Sequence, residues 1–128
     1  MGGPGRGPQA PRYAPSMSEA ELDRAIWRIV LDLAPWGLLG YHTRDSRRSA
    51  PGFPDWVFTG RRGVMFRESK TAKGKLSPEQ QTWLAGLKTA GADMDVWRPD
   101  DLRQGRIARE LADLAGPHNR PGGPHGRG

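Results

Sequence analysis

The segment Pro51-Gly52-Phe53-Pro54-Asp55-Trp56-Val57-Phe58-Thr59-Gly60-Arg61-Arg62-Gly63-Val64-Met65-Phe66-Arg67-Glu68-Ser69-Lys70 decides the fold. Asp55 follows a proline and opens the apolar run Trp56-Val57-Phe58. Gly60-Arg61-Arg62-Gly63 predicts a hairpin turn, and residues 64–70 predict the returning strand. Side chains two apart on a strand share a face, so Glu68 and Lys70 point the same way. The first strand starts where the second ends, so the hairpin can lay Asp55 beside them. Two carboxylates and one lysine then converge at one end of the hairpin. Paired carboxylates are the usual way a protein holds Mg²⁺, through one or two oxygens and several waters. A neighbouring ammonium can position a water or stabilise charge on a phosphoryl oxygen.

Downstream, residues 71–76 predict a flexible basic loop. Ser77 is a strong N-cap, with Pro78 at the first helical position and Gln80 at the capping-box position. Trp83, Leu84 and Leu87 form the apolar face of that helix, and Gly91 stops it. Residues 93–98 alternate and predict a strand with Asp93 and Asp95 on its polar face. Pro99-Asp100-Asp101 starts a last helix with Leu102, Ala108, Leu111 and Leu114 as its apolar residues. Upstream, Ser18-x-x-Glu21 is a capping box. The helix it opens places Leu22, Ile26, Ile29 and Leu33 on one face and ends at Pro35 and Gly37. Residues 38–43 predict a short strand, in which His42 reads as a structural residue or a surface donor. The order is helix, three strands, helix, strand, helix. Three strands can form a meander, and the 77–90 helix is long enough for a right-handed crossover to a parallel fourth. The expectation is an α/β fold: a mixed four-stranded sheet flanked by helices.

A chain of 128 residues without cysteine suits one domain and excludes a disulfide framework or a thiolate zinc site. No apolar run approaches a membrane span, and the expected location is the cytoplasm. The net charge of +6 favours an acidic partner such as nucleic acid. Around the acid pair the basic residues Arg44, Arg47, Arg48, Arg61, Arg62, Arg67, Lys70, Lys73 and Lys75 outnumber Asp45, Asp55 and Glu68. The loop Arg44-Asp45-Ser46-Arg47-Arg48-Ser49 is rich in the donors that grip phosphate oxygens, and Lys73 and Lys75 extend that basic surface. Residues 1–16 and 116–128 are dominated by Gly, Pro and Arg and are expected to be disordered tails around a domain spanning 17–115.

Gly52-Phe53-Pro54-Asp55, Phe66-Arg67-Glu68-Ser69-Lys70, Leu76-Ser77-Pro78-Glu79-Gln80-Gln81-Thr82-Trp83-Leu84 and Val96-Trp97-Arg98-Pro99 follow one another at spacings similar to the PD-(D/E)XK nucleases. The chain resembles their small VRR-NUC branch. The resemblance implies a restriction-endonuclease-like core of order αβββαβα and a metal-dependent DNA nuclease, with RNA still open as a substrate. It implies that Asp55 and Glu68 ligate Mg²⁺ or Mn²⁺, with the Ser69 carbonyl as a further ligand, and that Lys70 orients the attacking water. It gives Glu21 a second role, reaching the metal through water from the first helix, and places Gln80 near the metal site. Structure-specific relatives often act as dimers, so a homodimer is among the arrangements it allows. Arg67 and Ser69 stand where such enzymes are usually apolar. They predict a wet or partnered strand face, and they keep open a non-catalytic nucleic-acid-binding module on a decayed nuclease core.

Overall fold

The computed structural model describes residues 16–43 and 46–116. Arg44 and all but the innermost residue of each Gly/Pro-rich tail lie outside the described residues. Helix α1, Glu19–Leu33, begins at the expected capping box. The Glu21 N–H donates to Ser18 Oγ at 3.0 Å, and the Ser18 N–H donates to Glu21 Oε1 at 2.9 Å. Leu22, Ile26 and Val30 form its buried stripe, while Ile29 and Leu33 pack at the rim. A short 3₁₀ turn, Ala34–Trp36, ends at Gly37 and leads to β1, Leu39–His42. A second such turn covers Ser46–Arg48. The hairpin follows as β2, Trp56–Gly60, and β3, Gly63–Ser69, closing on the pair Gly60 and Gly63. Helix α2, Pro78–Thr89, crosses over to β4, Asp93–Trp97.

The sheet runs β1-β2-β3-β4, antiparallel through the meander and parallel between β3 and β4, where Glu68 pairs with Val96. The mixed four-stranded sheet flanked by helices is the one expected. Met65, Arg67 and Ser69 face the main core with Leu22, Ile26, Trp56, Phe58, Trp97, Ile107 and Leu111. Phe66 and Glu68 alternate with them and face the opposite side, toward α2. There Phe53 stands edge-on to both Phe66 and Trp83. Trp83, Leu84 and Leu87 are only half-buried, because α2 leans on a sheet margin and not on a second full layer. No helix among the described residues is long and apolar enough to cross a membrane.

The single last helix expected from the sequence is two: α3, Pro99–Arg103, and α4, Arg106–Ala115. Gly105 sits between them at φ +80°, a backbone conformation that breaks the helical run. The restart changes the buried phase, so Ile107, Leu111 and Leu114 enter the core and Ala108 is exposed.

Gly52 brings the loop before Asp55 against the start of α2. Its φ is +85°, and a Cβ there would lie 2.4 Å from the Glu79 carbonyl carbon. Gly52→Ala must therefore move backbone at residue 52 or at Glu79 and Gln80. We expect a loss of at least ~1 kcal/mol in stability, read by urea unfolding. A midpoint unchanged within error would show that the contact relaxes freely.

Candidate active site

The end of β3 and the start of β2 bring Asp55, Glu68, Ser69 and Lys70 together. Glu68 is 3 % exposed and Ser69 fully buried. The Ser69 N–H donates to Asp55 Oδ2 at 3.2 Å, which fixes the Asp55 carboxylate over the end of β3. Lys70 follows the strand, its N–H donating to the Trp97 carbonyl at 3.0 Å. Gln80 makes two contacts. It closes the α2 capping box with Ser77, and its Nε2 donates to Glu68 Oε2 at 2.8 Å. The other Glu68 oxygen, Oε1, is buried with no hydrogen-bond partner among the described residues.

Burial pushes the Glu68 carboxyl up to about 8, and the neighbouring Asp55 carboxylate adds to the rise; Lys70 and the Asp55 N–H pull the other way. The folded protein thus holds a proton that the unfolded chain has released between pH ~4.5 and ~8. Stability contributed by this proton is present below pH ~4.5 and is lost as pH rises to ~8. Glu68→Gln should flatten that alkaline decline in melting temperature, measured in chelator. An equally steep decline in the variant would place its origin elsewhere.

Of the two acids in the first turn of α1, the one whose charge couples to the site is Glu19. Glu21 is exposed and bonded to Ser18, so the structure does not bring it to the carboxylate pair. Glu19 stands close enough to Lys70, Asp55 and Asp23 to feel all three. Its pKa is raised, first by the atoms packed around the carboxyl and then by Asp55 and Asp23, against the pull of Lys70. Asp23, one turn further along α1, escaped the sequence reading. Its Oδ1 accepts from the Ser69 hydroxyl at 2.7 Å and from Trp56 Nε1 at 3.0 Å, and its Oδ2 lies 3.2 Å from His42 Nε2. The same Ser69 hydroxyl lies 3.1 Å from Asp55 Oδ2. His42, read as structural, packs on Trp56 with ring centres 4.3 Å apart.

The wet strand face expected from Arg67 and Ser69 is buried. Ser69 serves Asp23 and Asp55, while Arg67 is 3 % exposed and pairs with Glu110 and Asp93 at 2.9 Å each. Arg106 takes Asp95 at 2.7 Å, so Asp93 and Asp95 each face an arginine and form no second metal pair. The basic loop 71–76, expected to be flexible, is tied down: Arg98 Nη1 donates to the Thr71 and Gly74 carbonyls at 2.7 and 2.8 Å. Lys73 and Lys75 remain exposed on it, and Arg47 and Arg48 are exposed on the turn after β1.

Asp55 and Glu68 offer hard oxygen donors, and the orphaned Oε1 of Glu68 is an acceptor that a divalent cation would satisfy. Among the described residues no cluster of three or more His, Asp or Glu side chains could hold a metal. The protein's contribution would therefore be the pair, with water or substrate oxygens completing the shell.

An open mixed sheet with paired acids and a lysine at the end of its central hairpin is the plan of the PD-(D/E)XK nuclease superfamily. The VRR-NUC domain matches residues 8–100, and the chain belongs to that family, whose function is of the nuclease type. No curated protein and no solved structure matches the chain.

Proposed function

We propose that this protein is a Mg²⁺- or Mn²⁺-dependent nuclease that hydrolyses DNA phosphodiester bonds. The observation that carries the reading is the buried, unpartnered Oε1 of Glu68, set beside Asp55 and within the field of Lys70. Asp55 and Glu68 would hold the cation, and the Ser69 carbonyl is proposed as a further oxygen. When bound, such an ion supplies Lewis acidity toward a phosphoryl oxygen and lowers the pKa of a water. Ser69 keeps Asp55 aimed, and Gln80 fixes the rotamer of Glu68 from α2. Lys70 orients the attacking water and offsets charge that develops on the phosphate. Arg47, Arg48, Lys73 and Lys75 hold the DNA backbone without reading sequence. Incubation with labelled duplex, flapped, branched and single-stranded DNA, with Mg²⁺, with Mn²⁺ and with chelator, is the test. Cleavage that needs the ion is the expected result. No cleavage of any substrate would leave a binding module in place of the enzyme.

A further inference from the structure

Between α1 and the edge strand β1 lies a groove of about 970 Å³. Its walls carry exposed aromatic rings and arginines. Trp27 comes from α1 and is 41 % exposed; Tyr41 comes from β1 and is 61 % exposed. Trp27 is held from behind, stacked on the buried Trp56 at 5.9 Å between ring centres, so its orientation is set before any ligand arrives. Arg24 and Arg28 line the same groove from the exposed side of α1. Among the described residues the acid in its lining is Asp23, which is engaged by Ser69, Trp56 and His42.

We propose that this groove binds unpaired bases of a DNA strand, with Trp27 and Tyr41 as stacking surfaces and Arg24 and Arg28 meeting the phosphates. Rings interleaved with arginines are the surface that single strands require, because every base offers a π-face and every nucleotide a negative charge. Paired bases inside a duplex do not reach such rings. The groove adjoins the proposed active site through one residue: Asp23, in its lining, accepts from Ser69, whose hydroxyl lies 3.1 Å from Asp55. This inference rests on the nuclease reading for its purpose, but binding is measured without metal and apart from cleavage.

The test uses the full chain in chelator and a labelled oligothymidine of about 12 nucleotides, beside an abasic strand of the same length. Base-bearing DNA should bind about tenfold tighter or more, since each stacked base contributes roughly that factor. Trp27→Leu with Tyr41→Ser should remove the advantage and leave abasic binding unchanged; leucine retains apolar packing on Trp56. Equal affinity of the unmodified protein for both strands would overturn the proposal. A dimer that becomes a monomer in the same variant would also overturn it, by assigning the groove to a second copy. If the binding advantage is present and no substrate is ever cut, the nuclease reading fails and the groove stands.

Discussion

Lys70→Ala is expected to lower DNA cleavage by a factor on the order of 10² or more while leaving divalent-ion binding in place. Lys70 is positioned by its backbone bond to Trp97 and acts on the site through its charge, which is felt by both Glu68 and Glu19. Removing a cation beside the acid pair takes away repulsion toward an incoming ion, so affinity for Mn²⁺ should hold or rise. Asp55→Asn and Glu68→Gln keep the shape of the site and remove the charges that attract the ion, and both should lose ion binding together with cleavage. All three variants should bind DNA as before, because the exposed Arg48, Lys73 and Lys75 are untouched. Calorimetric titration with Mn²⁺ beside a cleavage assay on the same preparations separates the roles. Normal cleavage by Lys70→Ala would remove Lys70 from the chemistry without disturbing the acid pair.

The parts of the site that were legible in the sequence are those joined by one hairpin. Asp55, Glu68 and Lys70 converge because a two-residue turn fixes their register; the capping box marked Gln80 only as a helix start, and its place near the site came from the family resemblance. The parts that were not legible depend on partners far along the chain. Ser69 was visible only as a polar residue in an apolar place; its reason is Asp23, 46 positions earlier. Arg67 is explained by Glu110, 43 positions later. Glu21 was singled out by its capping box, and helix phase sets it apart from Glu19: two residues are roughly 200° of rotation, so the cap signature marks the residue that faces away. One signal was available, since Asp23 stands one turn after Glu19 at the border of the Leu22 and Ile26 stripe. Gly105 carried no local cue, because a lone glycine inside a helical pattern is often tolerated and only its backbone angle splits the helix.

Arg67→Ala is expected to cost roughly 3–5 kcal/mol of stability, the penalty for breaking a buried ion pair from one side. Arg67 lies within the sheet face covered by α4, over the Trp97 ring at 5.3 Å. Its guanidinium donates to Glu110, to Asp93 and to the Phe66 and Asp93 carbonyls. Burial disfavours the charged form of Glu110, but hydrogen bonds from Arg106, Trp97 and Arg67 outweigh it and lower its pKa. Stability from Glu110 is therefore present above the ordinary glutamate pKa and is lost as pH falls through the lowered one. Removing Arg67 leaves that carboxylate with fewer donors in a half-buried place. The melting temperature should fall by more than about 10 °C, since each kcal/mol shifts a domain of this size by roughly 4–8 °C. Arg67→Met with Glu110→Leu should recover part of the loss, because apolar replacement of a whole buried pair is often neutral. Cleavage by Arg67→Ala, assayed well below its melting point, should persist: Arg67 points to the core, and Glu68 to α2 and the face proposed to hold the metal. A melting temperature within about 3 °C of the unmodified protein would show that the network contributes little. Loss of cleavage in a folded Arg67→Ala protein would show that β3 transmits the state of its buried face to Glu68 and Lys70.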